Sequence, residues 1–228
     1  MTRRRKPFKV LAVDIGGTHV KYLASDQPER RKFDSGPELT PQAMVEHILS
    51  ESPDWDYEVV SLGYPGPVHE DRILAEPANL GQGWVDFDFG TAFGRPVKII
   101  NDAAVQALGS YQGGRMLFLG LGTGLGSAMV FPHQVVPMEL AHLPYKKATF
   151  EDYVGLRGLE KYGKKKWRKR VQDVVERLKA AFMPDDVVLG GGQTKELKQL
   201  PEGCRLGDNA NAFAGGFRLW NQSGGPVL

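Results

Sequence analysis

Residues 9–23, KVLAVDIGGTHVKYL, set the terms for reading the rest of the chain. Residues 9–15 are an apolar, β-branched run that ends at Gly16-Gly17, and a second β-like run, Thr18 to Leu23, follows at once. Two such runs joined by a glycine pair read as strand, tight turn, strand. The plan recurs at 116–131, MLFLGLGTGLGSAMVF: an apolar strand, a glycine-rich tip and another strand. At an offset of 106, Gly16 falls on Gly122, Gly17 on Thr123 and Thr18 on Gly124. A pattern repeated at that distance predicts two related α/β halves.

Outward from these hairpins the period changes. Residues 41–51 (PQAMVEHILSE) predict a helix, with Pro41 in its first turn and Met44, Val45, Ile48 and Leu49 on one face. Val59–Leu62 is a short strand entering the turn-rich GYPGPV, residues 76–84 are loop, and Val97–Ile100 is a buried strand. Asp102 is then the expected N-cap of a helix over AAVQALGSY. Further on, Trp167, Val171, Val174, Val175, Leu178 and Phe182 fall at helical spacing before Pro184. Val187–Leu189 runs as a strand into Gly190-Gly191-Gly192, followed by a helix-like TKELKQL (194–200). Residues 209–220 predict a last helix, weakened by Gly215-Gly216. This order of strands and helices is that of an α/β protein.

The chain has 228 residues, 41% hydrophobic and 25% charged, a balance that excludes intrinsic disorder. Its 28 glycines and 15 prolines exceed the roughly 12% of an average chain and predict many tight loops. No stretch approaches the roughly 20 apolar residues of a membrane span. Arg3, Arg4, Arg5 and Lys6 precede an apolar run that Asp14 interrupts, too short for a signal peptide, so a cytoplasmic protein is expected. The single cysteine, Cys204, excludes an internal disulfide and a Cys-rich metal site. The net charge is +2, but residues 161–170 (KYGKKKWRKR) carry seven cations and no acid, leaving the remainder at −5. That block fits either a polyanion contact or a solvated helix face. No helix-turn-helix or aromatic-rich RNA motif accompanies it, which disfavours a nucleic-acid binder.

Chemistry concentrates at the glycine turns. In Asp14-Ile15-Gly16-Gly17-Thr18 with Lys21, bare backbone admits an anion closely and Thr18 adds a hydroxyl donor. A carboxylate beside a phosphate makes sense when a divalent cation sits between them. The 122–127 tip cannot be a dinucleotide fingerprint: placing its first glycine at Gly120 or Gly122 puts Leu125 or Ser127 at the last one, and a strand follows where a helix is required. A hairpin phosphate cradle fits better, and Gly190-Gly191-Gly192 is a third place for close backbone approach. Asn101-Asp102 stands where a strand hands over to a helix, where α/β proteins present active-site groups. Asp102 there is either a cap or a base for an attacking hydroxyl. Glu139 and His142 fall one turn apart and suit adjacent sugar hydroxyls, a metal or each other.

Taken together, DIGGTHVK (14–21), GYPGPV (63–68), NLGQGW (79–84), NDAAVQALG (101–109), GLGTGLGSA (120–128), ELAH (139–142), FEDY (150–153) and LGGG (189–192) resemble the ROK sugar kinases, in particular their polyphosphate glucokinase-like branch. The resemblance implies an actin-like ATPase fold (hexokinase/ROK type): two α/β lobes, residues 1–102 completed by a helix near 211–222 and residues 103–210, with a cleft between them. It implies phosphoryl transfer from ATP, polyphosphate or both to the 6-hydroxyl of glucose or a similar hexose. Asp102 would be the general base, and Asn79, Asn101, Glu139, His142 and Glu151 would hold the other hydroxyls. Asp14, Gly16, Gly17, Thr18, Lys21, Thr123 and Gly124 would embrace the donor phosphates and Mg2+, with Asp14 the metal ligand, directly or through water. Gly191 and Gly192 would lie near a nucleoside. The cysteine cluster that binds zinc in typical members is replaced by LPYKKATFEDY, so no zinc is expected. Lys164, Lys165, Lys166, Arg168 and Lys169 are the candidate polyanion contacts, and relatives commonly form homodimers. The alternative is a non-catalytic sugar- or polyanion-sensing member of the same fold.

Overall fold

In the computed structural model, which describes residues 6–132, 134–208 and 210–221, the two quoted stretches are the central hairpins of two five-stranded sheets. The first half runs β1 (Val10–Ile15), β2 (His19–Ala24), β3 (Arg31–Asp34), α1 (Pro41–Glu51), β4 (Val59–Tyr64), a small hairpin of β5 (Val68–His69) and β6 (Arg72–Ile73), α2 (Phe89–Phe93) and β7 (Val97–Asn101). Helix α3 (Asp102–Ser110) leads into β8 (Met116–Leu121), β9 (Leu125–Phe131) and β10 (Gln134–Met138). A second small hairpin, β11 (Pro144–Tyr145) with β12 (Ala148–Thr149), precedes α4 (Phe150–Val154) and α5 (Leu156–Phe182). Then come β13 (Asp186–Gly190), β14 (Cys204–Leu206) and α6 (Asn211–Asn221).

Spatial order is β3-β2-β1-β4-β7 in one sheet and β10-β9-β8-β13-β14 in the other. In both, the first two pairings are antiparallel and the last two parallel. The repeat at an offset of 106 is therefore a repeat of topology. Strand β4 is buried at every position, as a parallel strand covered on both faces must be, whereas β2 alternates buried and half-buried residues.

Helix α1 starts where expected, with Thr40 accepting a hydrogen bond from the Ala43 N–H at 3.2 Å. Its buried face is Pro41, Met44, Val45 and Ile48; Leu49, expected among them, is rotated past the core and is 39% exposed. Helix α3 corrects the expected cap: Asn101, not Asp102, accepts from the Ala103 and Ala104 N–H groups, at 3.0 and 3.3 Å. Asp102 becomes the first helical residue. The segment TKELKQL is not a helix; Gly192–Glu196 form a single 3-10 turn, closed by Thr194 on the Gly191 carbonyl. Too few of its side chains are apolar to hold a longer helix against the sheet.

Helix α5 is longer than its apolar stripe suggested and is broken at Gly163, whose φ of 73° lies in the left-handed region. A second helical stretch thus begins at Lys164. Trp167, Val171, Val174, Val175 and Leu178 pack it on the second sheet, and the Trp167 indole N–H donates to the Val154 carbonyl at 2.8 Å. Helices α3 and α6 pack on each other, against β1 and β4 on one side and β8 and β9 on the other. Gly215-Gly216, read as a weakness, is what lets α6 lie so close: a Cβ on Gly216 would come within 2.7 Å of the Ala12 Cβ, and its carbonyl accepts from the Ser61 hydroxyl at 2.7 Å. Arg3, Arg4, Arg5, Asn209 and position 222 of the sequence reading lie outside the described residues.

Candidate functional site

A cleft of about 1020 Å3 opens between the two sheets, and both glycine turns reach it. In the first turn Gly16, Gly17 and Thr18 line the cleft. The Gly16 N–H donates to the His19 carbonyl at 3.0 Å and the Gly16 carbonyl accepts from the Ser35 hydroxyl at 2.6 Å, which fixes the loop from both sides. A Cβ on Gly17 would come within 3.1 Å of the Asn79 Cβ, so the glycine lets the 76–84 loop approach. Asp14 and Lys21 face each other across the ladder, their charged atoms 3.3 Å apart. They stand behind the turn and do not line the cleft itself.

In the second turn Gly122, Thr123 and Gly124 line the cleft. The Leu156 N–H at the start of α5 donates to the Gly122 and Thr123 carbonyls, both at 3.1 Å. The Glu151 carboxylate lies directly on Gly124, where any Cβ would overlap its Oε2. Gly191 joins the lining with φ of 85°, packed on the Leu121 backbone; Gly192 stands beyond it and is not part of the lining.

Asp102 stands at the base of the cleft, at the junction of β7 and α3. Burial is the largest influence on its carboxyl, and the nearby charges of Asp14 and Glu139 act the same way. Against the opposing hydrogen bond from the Ala103 N–H, they push its pKa up to about 7. A carboxylate titrating there holds a proton or accepts one with little bias, the condition for general acid–base work at neutral pH. Of the three carboxylates, Asp14 is paired with Lys21, at 3.3 Å.

The walls come from loops. Asn101 donates its side-chain N–H to the Gly66 carbonyl at 3.1 Å, tying α3 to Pro65-Gly66-Pro67. Glu139 and His142 stand at either end of a 3-10 turn, with 3.8 Å between the Glu139 carboxylate and the His142 Nε2, both lining the cleft. The structure thus brings together Asn79, Asn101, Asp102, Glu139, His142 and Glu151 on one cavity. The Lys164–Lys169 block lies elsewhere, on α5. There Lys164 pairs with Glu196 at 2.6 Å and Arg168 donates to the Glu196 carbonyl at 2.5 Å, while Lys165, Lys166 and Lys169 are exposed.

Sequence reasoning gave no role to several cleft residues, among them the following. Pro65, Gly66 and Pro67 were visible as a turn but not as a wall. Ser127 is buried, donates to the Met138 carbonyl at 2.7 Å and accepts from the Leu140 N–H at 3.2 Å, bracketing Glu139. Phe118 closes the floor under Gly120 and Gly190. Gln106, one helical turn beyond Asp102, also lines the cleft; its polar side chain among Ala103, Ala104, Val105, Ala107 and Leu108 was the available signal.

The family model that matches this chain is that of the ROK family, over residues 10–136. Polyphosphate glucokinase of Mycobacterium leprae (strain TN) is 25% identical over an alignment 217 positions long that covers 86% of this chain; the chain spans 66% of that relative's length. The solved structure of an inorganic polyphosphate/ATP-glucomannokinase from Arthrobacter sp. strain KM is similar at 25% identity with a TM-score of 0.76, covering 91% of this chain and 96% of that one. A ROK family glucokinase from Streptomyces griseus, solved in complex with glucose and AMPPNP, is alike in fold at 18% identity, with a TM-score of 0.76 over 94% of this chain and 100% of that one. The expected architecture, an actin-like ATPase fold of two α/β lobes with a cleft between them, is the one found.

Proposed function

This chain belongs to the ROK family, and we propose that it is a kinase carrying a phosphoryl group from polyphosphate, ATP or both to the 6-hydroxyl of glucose or a similar hexose. The observation that carries this reading is the Asp102 carboxyl, set at a strand–helix junction between two glycine turns and tuned to a pKa of about 7. In its ionised form it accepts the proton of the sugar hydroxyl as that oxygen attacks the donor's terminal phosphorus. Asn79, Asn101, Glu139, His142 and Glu151 supply acceptors and donors for the remaining hydroxyls and hold the reacting one in line. Positioning of this kind is most of what phosphoryl transfer asks of a protein. Gly16, Gly17, Thr18, Thr123 and Gly124 present backbone and hydroxyl donors to the phosphates, and Lys21 adds a cation; Gly191 and Gly192 leave room for a nucleoside. Residues 1–102, completed by the helix near 211–222, close as one lobe on residues 103–210.

A divalent cation fits this site. The Asp14 charge acts on the buried Asp102 carboxyl, and the cation paired with Asp14 is Lys21, at 3.3 Å. Mg2+ is held in such places by one or two carboxylates together with substrate phosphates and water. Asp14 would hold it, and the ion when bound neutralises charge on the donor phosphates. Lys165, Lys166 and Lys169, exposed on α5, are the residues left to contact the outer part of a long polyphosphate chain.

The test is sugar phosphate formation from glucose, run in parallel with Mg-ATP and Mg-polyphosphate at matched phosphate concentration. Turnover with either donor is the expected result. Sugar binding with no turnover across both donors and a panel of hexoses overturns the kinase reading in favour of a sensing role.

A further inference from the structure

Helix α3 is buried along most of its length, and the side chains that keep partial exposure are those of Asp102 and Gln106. Gln106 follows Asp102 by four residues, so the two leave the same face of the helix about one turn, or 6 Å, apart. Both line the same cleft. The Gln106 carboxamide points toward the end of β13: its Oε1 lies 3.6 Å from where a Cβ of Gly190 would stand. Phe118 packs against Gly190 and Gly120 on the same floor. The Gln106 backbone carbonyl accepts from the Ser110 hydroxyl at 2.8 Å, but among the described residues its side chain makes no hydrogen bond. A half-buried carboxamide facing a cavity and unpaired by protein leaves its donors open to a ligand that displaces water from the cleft.

We infer that Gln106 is a donor-binding residue, its amide N–H donating to the phosphate immediately behind the one transferred. The inference rests on the kinase reading and deepens it. Asp102 marks the sugar oxygen and the phosphorus it attacks. One turn further along the helix Gln106 faces the Gly190-Gly191 end of β13 in the same cleft, where a donor in line with Asp102 would carry its next phosphate. ATP and polyphosphate share that group, so Gln106 serves both and does not choose between them. A carboxamide suits the task because it donates without adding charge next to Asp102, whose basicity a cation there would lower.

The experiment compares Gln106→Leu, which keeps shape and removes the donor, with Gln106→Glu, which sets a negative charge against the phosphates. Gln106→Leu raises KM for the donor roughly tenfold and Gln106→Glu raises it further, while KM for glucose stays within about twofold. A donor KM unchanged in both variants, or donor and glucose weakened alike, overturns the assignment, because a purely structural role does not distinguish the two substrates. Calorimetry with tripolyphosphate keeps the assignment separate from the kinase reading. If the wild-type protein turns nothing over, loss of tripolyphosphate affinity in Gln106→Glu still supports it. Equal affinity in that variant, or no binding by the wild-type protein, overturns it.

Discussion

The β1–β2 turn and the β8–β9 turn sit at equivalent ends of equivalent strands, but their registers differ by one residue. In the first, Ile15 pairs with Val20; in the second, Leu121 pairs with Leu125. The longer turn sets Asp14 opposite Lys21, and the shorter one sets Gly120 opposite Gly126. One hairpin therefore carries a charged pair behind its glycines, and the other carries bare backbone at the matching place. That bareness is occupied. A Cβ on Gly126 would come within 2.8 Å of the Ala103 Cβ, and one on Gly120 within 3.3 Å of the Phe118 ring. The second hairpin thus admits the start of α3, and with it Asp102, while the first adds the Asp14 charge to the burial that shifts Asp102 toward neutrality. Two copies of one hairpin have divided the work between room and field.

The largest break in this arrangement is Asp102→Asn, which removes the group both hairpins serve. Turnover should fall by roughly 10^2–10^4, the range general bases contribute, with glucose affinity retained. A variant that keeps wild-type turnover refutes the base assignment. The same substitution should stabilise the fold at neutral pH. The native state holds the Asp102 proton more tightly than the unfolded chain does, so wild-type stability declines as pH rises from the ordinary value of 3.8 to about 7, then levels off. Melting curves at pH 5 and pH 8 should show the Asp102→Asn variant gaining on the wild type at the higher pH.

Next is the room itself. Gly126→Ala pushes the first turn of α3 off β9 and should destabilise by about 1–3 kcal/mol, with reduced turnover. Gly122→Ala, where a Cβ meets nothing within 4 Å, should leave the melting temperature unchanged. Equal behaviour of the two in a thermal melt would mean that Gly126 does not make space for the helix.

The field is probed by Asp14→Asn. Activity requires ionised Asp102, so kcat/KM declines as pH falls through about 7. Without the Asp14 charge that helps raise this pKa, the acid limb should move to lower pH even as the overall rate drops. An acid limb at the wild-type position would show that Asp14 does not act on Asp102. The smallest effect expected is from neutralising Lys165, Lys166 and Lys169 together. KM for long-chain polyphosphate should rise several-fold, with salt-dependent binding, and KM for ATP should not move. A matching change with ATP would remove the polyanion role.

How much of this the sequence carried depended on how local each signal was. The hairpins, α1, β4, β7 and β13 announce themselves through runs of apolar residues bounded by glycine or proline, and the offset of 106 carried the duplicated topology. Strand β3, Arg31–Asp34, is mostly exposed and charged and gains its identity only by pairing with β2. The two-residue hairpins β5–β6 and β11–β12 are likewise too short to show a period. Within the site, Asp102, Asn101 and the glycine tips were legible because strand–turn chemistry is written in consecutive residues. Ser127, Phe118 and Gln106 were not. Ser127 and Phe118 look like ordinary strand sequence and Gln106 is one polar residue in an apolar helix, and each becomes part of the cleft only through the packing of α3 on the second sheet.

The placement of α6 has a consequence in time. Its Gly216 carbonyl caps the Ser61 hydroxyl across 155 residues of chain, and its backbone closes over β1 and β4. Those strands are made well before the helix that covers them, about 155 residues earlier. At roughly 5–20 residues per second, the first sheet waits on the order of ten to thirty seconds on a ribosome with one face open. During that interval its apolar surface is available to chaperones and to neighbouring nascent chains. Synthesis rate and chaperone supply should therefore affect the yield of this protein in cells.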